Sequence, residues 1–409
     1  MPRIAIISGS LQPDKCGVAH YITRLADGLV ADGAAVTVLT DRIGALSTTH
    51  SFGVLGAIEK WSLSAVPRLV RWVLRLGPDV VHIQHSPPSF GYRRGQLLLP
   101  LVLRLAGWRG PVVVTMHEYG MWDVKSRFVP EPLIRYVGRL TESKGWCDRE
   151  SLFLLTLSSS IVVTNDSHYE AIATKMPTLS SKLVKIPIGP NVTLAPCDQF
   201  EVRERLQKQF GILPTDQIAV FFGFLHPIKG LETLLNAAKH LANKHVPLRI
   251  LVLGGQESLS FQGDEARTYA HHLVDQARDL GISDRVVFTG YLPATDVSEI
   301  LQVADLCVLP FNQGVTLKSG SLIAALAHGI PTVATRAEAP DQRLVHRQNV
   351  YLVPARDSNR LADGMLQVLS SRELQRALRQ GAIELSKDFS WDRITREHLR
   401  IYENTLHRP

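Results

Sequence analysis

Residues 218–235 read IAVFFGFLHPIKGLETLL, and their pattern decides the fold. Residues 218–222 form a short apolar run of the kind buried on both faces of a parallel sheet. Gly223 ends it, and after Lys229-Gly230 the leucines 231, 234 and 235 recur at helical spacing. Strand, turn and helix in that order make half of a β-α-β unit. The same alternation continues outward in both directions. Downstream, strands are expected at 248–253, 286–289, 306–309, 332–335 and 349–353. Helical patterns separate them at 230–244, 264–280, 296–303, 319–328 and 358–370. Upstream, apolar runs fall at 4–7, 36–39, 80–83, 112–115 and 161–164, with 185–188 as a sixth. Residues 18–32 carry a helix that Gly33 stops. Residues 120–160 hold charges, Trp122, Trp146 and an apolar run at 152–157 that reads as helical.

The chain is thus α/β, with two similar halves. Two prolines and an asparagine mark 189–198 as a linker. The expected division is an N-terminal domain 1–195, a C-terminal domain 196–388 and a last helix within 389–409.

A length of 409 residues suits two domains. Hydrophobic residues at 45% and charged residues at 20% exclude a disordered chain. No run of eighteen apolar residues could span a bilayer, and MPRIAIISGS lacks a signal-peptide core. The four cysteines, Cys16, Cys147, Cys197 and Cys307, are scattered. Neither a disulfide framework nor a zinc site is expected, and a cytoplasmic location follows as the default. The formal charge is +7, and residues 1–195 hold 21 Lys+Arg against 14 Asp+Glu, which is the whole excess. A basic half can meet nucleic acid, anionic lipid or an acidic ligand. Nucleic acid is discounted, since neither an aromatic stacking platform nor zinc-finger spacing accompanies the charge.

Ligands of open α/β sheets bind at the carboxyl ends of strands, so the residues after each strand are the site candidates. After the first comes SGSLQPDKCGVAHY, where Gly17 opens a helix whose N–H groups could meet a phosphate or sugar. A turn glycine gives the same pattern. After the fourth comes His117-Glu118. Alternation puts His82 and Gln84 on one face of their strand and His85 on the other, at the strand's end. In the second half, His226 and Lys229 precede a helix, a place where a cation and free N–H groups suit a diphosphate. Thr316, Lys318, Ser319, Gly320 and Ser321 enter another helix and offer a charge, hydroxyls and a cap. An ordinary capped helix is the alternative there.

Taken in order, these pieces resemble the retaining, nucleotide-sugar-dependent glycosyltransferases of the GT-B fold, the group 1 family. The resemblance runs through CGVAHYITRLADGL, VVVTMHE, KIPIGPNV and FFGFLHPIKGLETLL. It continues through VVFTGYLPATDVSEILQVADLCVLP, GSLIAALAHGIPTVAT and VYLVPARD, and ends on FSWDRITREHLRIYENTL. It implies two Rossmann-like domains facing a cleft, with the last helix returning to the N-terminal domain. It implies a nucleoside diphosphate sugar as donor and a carbohydrate or lipid-linked acceptor, in polysaccharide or glycolipid synthesis. No cofactor and no metal are implied, because cations and helix ends take the metal's place. By resemblance, Lys229 contacts the donor diphosphate, His117 lies near the donor sugar and Gly17 faces the phosphates. The implied mechanism is front-face, with the leaving diphosphate taking the acceptor's proton.

Two positions depart from the family. Phe224 stands where an Arg is usual, with His226 as a partial substitute. Thr316 and Ala324 stand where two glutamates are usual. A variant phosphate loop built on Lys318 and the Ser-Gly-Ser turn is one reading. A catalytically degenerate paralogue that binds sugar or nucleotide is the other. A sugar-phosphate epimerase of related fold fits less well, since the required set of acids and histidines cannot be assembled.

Residues 62–76 add a last expectation. Arg68, Arg71 and Arg75 share a helix with Leu69, Val70, Trp72, Val73 and Leu74. Arg93, Arg94, Arg104 and Arg109 lie in the same half. Such a helix can lie on anionic lipid, a peripheral contact on the inner membrane face. A solvated face of a packed helix is the alternative.

Overall fold

The computed structural model describes residues 1–12, 15–46, 50–120 and 130–407. Pro13 and Asp14 of the first loop, and Trp122, lie outside the described residues. The chain divides into two compact units, Met1–Ile188 with Trp391–Pro409, and Gly189–Ser390.

The first unit is a parallel sheet of seven strands in the order β3-β2-β1-β4-β5-β6-β7. Its strands are β1 (Arg3–Ser8), β2 (Ala35–Asp41), β3 (Gly53–Ile58), β4 (Val80–His85), β5 (Val112–Met116), β6 (Ser160–Val163) and β7 (Leu183–Lys185). The helices are α1 (Gly17–Ala31), α2 (Val66–Leu76), α3 (Leu99–Leu105), α4 (Glu131–Ser143) and α5 (Asp166–Lys175). The final helix of the chain, Trp391–Leu406, belongs to this unit and packs on α1.

Both faces of the sheet are buried, which is why its strands read as continuous apolar runs. Alternate residues feed two cores. Ile4, Ile6, Val36, Val38, Val80 and Val113 join Ile22 and Leu25 of α1 and Ile394, Ile401 and Tyr402 of the last helix. Ala5, Ile7, Val81, Ile83, Val112 and Val114 join Leu69, Val70 and Val73 of α2. Each fully buried aliphatic chain contributes about 1.5–3 kcal/mol. The alternation also fixes where polar residues go: His82, Gln84 and Thr115 share the face covered by the last helix.

The second unit is a parallel sheet of six strands in the order β10-β9-β8-β11-β12-β13. They are β8 (Gln217–Phe222), β9 (Leu248–Leu253), β10 (Val286–Gly290), β11 (Leu306–Leu309), β12 (Thr332–Thr335) and β13 (Tyr351–Val353). The helices are α6 (Gln199–Phe210), α7 (Leu231–Asn243), α8 (Asp264–Asp279), α9 (Ala294–Val303), α10 (Gly320–Ala327), α11 (Ser358–Ser370) and α12 (Arg372–Ser386). With the last helix counted as α13, the described residues hold thirteen α-helices and thirteen strands.

Several expectations change. Residues 152–157 form turns, not a helix: Asp148 and Leu152 pair in an isolated bridge, and Leu154 and Leu155 are buried from within turns. The sixth upstream strand is Leu183–Lys185, earlier than 185–188. Strand β3 and helices α3, α4, α5, α6 and α12 have no counterpart among the expected elements. The division between the units lies at Ile188–Gly189 and not at 195, because the linker's end binds the second unit. Ala195 N–H donates to Ser298 Oγ at 2.9 Å, and Gln302 Nε2 donates to Ala195 O at 2.9 Å. The second boundary likewise falls after Phe389, which is fully buried with the Arg343 guanidinium over its ring.

Candidate active site

In the second unit the strand order reverses between β8 and β11, the switch point where open sheets bind ligands. The loops after these two strands are locked together. His226 Nδ1 accepts from Ile228 N–H at 3.2 Å and starts a turn over Pro227–Lys229. Gly230 ends that turn at φ +66, and a Cβ there would lie 2.1 Å from Pro310 O. From the other loop, Asn312 N–H donates to Ile228 O at 2.9 Å and Asn312 Nδ2 donates to Pro227 O at 2.8 Å.

Lys229 is placed by this lock. Its Nζ sits 3.8 Å from the centroid of the Phe311 ring. Among the described residues it has no carboxylate partner, and burial alone brings its pKa down to about 8. A desolvated cation with no counter-ion is costly unless an anion arrives. His226 is held neutral by burial and then by the Lys229 charge. With Nδ1 accepting, its ring proton sits on Nε2, which makes it a donor. Its ring lies 4.8 Å from Phe261.

The loop after β11 enters α10. Ser319 caps the helix, its Oγ accepting from Leu322 N–H at 3.5 Å, and its own N–H donates to Thr316 O at 2.9 Å. First-turn N–H groups have no acceptor inside a helix, so those of Gly320 and Ser321 point out of its end. Ser321 is buried, and its Oγ lies 3.0 Å from where a Cβ on Gly223 would be, so the end of β8 meets the first turn of α10 there. Lys318 is exposed and Thr316 half-buried. Phe224 is half-buried against Gly255, and Ala324 is fully buried.

In the first unit the order reverses between β1 and β4. Gly17 is the exposed first residue of α1, with nothing within 4 Å of a Cβ there. No side chain of Cys16 caps the helix, and its first turn holds no acid. His117 follows β5, and its Nε2 lies 2.8 Å from Gln84 Oε1. Its ring meets Tyr21 edge-on at 4.8 Å, and burial lowers its pKa to about 3. Glu118 accepts from Ser86 Oγ at 3.2 Å. His85 takes a different place from the other candidates. It is buried, its ring is stacked with Phe90, and its Nδ1 has no hydrogen-bond partner. Burial brings its pKa down to about 4.

Lys229, His226, Ser319, Gly320 and Ser321 therefore come together in one unit, and in the other Gly17 opens α1 while His117 and Glu118 follow β5. The sequence reading missed Phe311 and Asn312, which position Lys229, and Gln84, which holds His117. Only the shared face of His82 and Gln84 pointed that way.

At the edge of the first unit, Arg42, Arg68, Arg71 and Arg75 line a pocket of about 310 Å³ with Trp72 and residues 56–59 of β3 and its end. Arg42 pairs with Glu59 at 3.3 Å, and the Arg75 guanidinium lies 5.4 Å from the Trp72 ring. Among the described residues Arg68 and Arg71 have no carboxylate partner. Arg104 is structural, donating to Trp108 O and Gly110 O. Among the described residues no group of three His, Cys, Asp or Glu could hold a metal, and no helix is long and apolar enough to cross a membrane.

Two family models match the chain: Glycosyltransferase Family 4 over residues 16–189, and Glycosyl transferases group 1 over residues 216–371. A D-inositol 3-phosphate glycosyltransferase of Corynebacterium urealyticum is 23% identical over 65% of this chain and 61% of its own length. The enzyme of the same name from Jonesia denitrificans is 26% identical over 96% of this chain and 92% of its own. The structure of Anabaena HepE in complex with UDP and glucose superposes with a TM-score of 0.70 at 17% identity, over 99% of this chain and 100% of that one. That likeness concerns the fold. With two parallel α/β units and both family models in register, the chain belongs to the group 1 glycosyltransferases of the GT-B fold.

Proposed function

We propose that the protein moves a hexosyl group from a nucleoside diphosphate sugar to an acceptor hydroxyl, with retention and without a metal. The observation that carries this reading is Lys229, a half-buried ammonium with no carboxylate partner among the described residues, at the β8/β11 switch point. Lys229, the His226 Nε2–H and the N–H groups of Gly320 and Ser321 stabilise the charge that develops on the leaving diphosphate. Lys318 adds an exposed charge at the same loop. The diphosphate takes the acceptor's proton, so no separate base is needed. In the first unit His117 offers Nδ1 to a sugar hydroxyl, and the first turn of α1 at Gly17 offers N–H groups to an anion.

The acceptor is a carbohydrate or a lipid-linked sugar in polysaccharide or glycolipid synthesis. The names of the relatives make a phosphorylated cyclitol a further candidate to test. The pocket of four arginines supports peripheral contact with anionic lipid on the cytoplasmic side of a membrane. Neutral residues at Thr316 and Ala324 favour one alternative, a degenerate paralogue that binds a sugar nucleotide without turning it over.

A panel of nucleotide sugars, scored for thermal stabilisation and then for nucleoside diphosphate release with sugar and lipid acceptors, tests the reading. Stabilisation with acceptor-dependent release is expected. Stabilisation without release by any donor and acceptor pair favours the paralogue, and neither effect rejects both.

A further inference from the structure

The polar residues buried under α13 form a continuous chain. Tyr402 OH lies 2.7 Å from His82 Nδ1. His82 Nε2 lies 2.8 Å from Thr115 Oγ1 and 3.1 Å from Gln84 Nε2. Gln84 Oε1 lies 2.8 Å from His117 Nε2. All these contacts fall within the first unit. His82, Gln84, Thr115 and Tyr402 are each essentially inaccessible to solvent.

Elementary donor and acceptor rules give the chain a direction. An amide oxygen only accepts, so the proton of His117 sits on Nε2. Gln84 Nε2 lies 3.4 Å from His82 Nδ1 and nearer, at 3.1 Å, to His82 Nε2; an amide nitrogen only donates, so the nearer nitrogen, Nε2, is the bare one. His82 Nδ1–H then donates to the Tyr402 oxygen. The result is that His117 Nδ1 carries a lone pair and no proton. No described hydrogen bond uses that nitrogen.

We propose that Tyr402, His82 and Gln84 are positioning residues that fix the tautomer of His117, so that its Nδ1 accepts from a hydroxyl of the transferred sugar. The inference rests on the sugar-transfer reading above for what His117 meets, though not for its tautomer. Burial supports it, since His117, His82 and the neighbouring His398 are all held neutral. A lone pair repels a carboxylate and welcomes an O–H. The sugar class that fits is therefore a neutral hexose and not a hexuronic acid with its carboxylate at that position. The fixed direction also gives the last helix a role at the site. It supplies the oxygen that decides where the proton on His82 lies.

Nitrogen-15 spectra of histidine-labelled full-length protein read the tautomer directly, with the His117 signals assigned from a His117→Asn variant. They need neither donor nor acceptor, so failure of the sugar-transfer reading leaves their outcome untouched. In the wild type His117 is expected neutral with its proton on Nε2, and a proton on Nδ1 overturns the proposal. In Tyr402→Phe the buried His82 Nδ1–H loses its acceptor. The His82 proton should move to Nε2, Gln84 should turn over, and the His117 proton should move to Nδ1. His398, whose Nδ1 donates to Ile394 O at 2.8 Å, should keep its pattern and report an intact fold. An unchanged His117 in a folded Tyr402→Phe protein overturns the proposal. Should that variant not fold, Gln84→Glu serves instead. A carboxylate at that place should raise the His117 pKa by roughly one unit or more, and an unmoved titration overturns the coupling.

Discussion

The Lys229 ammonium lies 3.8 Å from the centroid of the Phe311 ring and faces no carboxylate among the described residues. The ring face offers a weak electrostatic attraction, about 0.5–2 kcal/mol, and no hydrogen-bond acceptor. Burial therefore dominates, and the pKa falls to about 8 from an ordinary value near 10.4.

A pH dependence follows with a definite sign. Between about pH 8 and pH 10.4 the unfolded chain holds more protons on Lys229 than the folded one. Stability attributable to this residue should rise through that window. In Lys229→Met, with no titration at this position, the rise should be smaller. Nucleoside diphosphate affinity should move the opposite way, weakening above pH 8 as the free ammonium loses its proton. Melting curves and titrations from pH 7 to pH 10 check both. Parallel profiles for wild type and variant would show that Lys229 keeps its ordinary pKa.

Gly230→Ala tests the lock between the two loops. At φ +66 a side chain costs about 1–2 kcal/mol, and its Cβ would collide with Pro310 O. Urea denaturation should show a loss of at least that size, and diphosphate binding should weaken because Lys229 loses its support. Unaltered stability would mean the loops are not coupled as described.

Ser319 and Lys318 separate by readout. Ser319 is a helix cap, so Ser319→Ala should cost about 0.5–2 kcal/mol of stability. Lys318 is exposed, so Lys318→Ala should leave stability within about 0.5 kcal/mol. If the loop replaces the family's missing charges, Lys318→Ala should weaken donor binding several-fold. Wild-type binding in the Lys318 variant would reduce the loop to an ordinary capped helix.

How far the sequence leads is visible in these same residues. Strand and helix alternation marks the second unit because its inner strands are buried on both faces and read as plain apolar runs. Lys229 is legible because a cation beside a glycine at a helix start is a local signal. Strand β3, GVLGAI, was hidden by two glycines, and α6 by the linker that precedes it, though Asp198 caps it by accepting from Phe200 and Glu201 N–H. Residues 152–157 misled because a buried apolar run carries no mark of turn or helix without its partners. Phe311 under Lys229, Tyr402 behind His82 and Arg42 beside Arg68 come together through tertiary packing alone. No local spacing announces such pairs.

The pocket of Arg42, Arg68, Arg71 and Arg75 has its own test. Co-sedimentation should occur with anionic vesicles and not with neutral ones, and should weaken as salt rises. Arg68, Arg71 and Arg75 changed to Gln should release the protein. Absence of sedimentation at low salt would assign these arginines to the solvated face of α2.

The most direct measurement is calorimetric titration of wild type and Lys229→Met at pH 7 with a nucleoside diphosphate and its monophosphate, using the base that stabilises the protein best. Removing a charge-assisted contact costs about 1.5–3 kcal/mol, roughly tenfold to a hundredfold in affinity. The expected result is that the wild type prefers the diphosphate and the variant loses that preference, with monophosphate binding little changed. Equal diphosphate affinity in the two proteins would contradict the assignment of Lys229 to the donor's diphosphate.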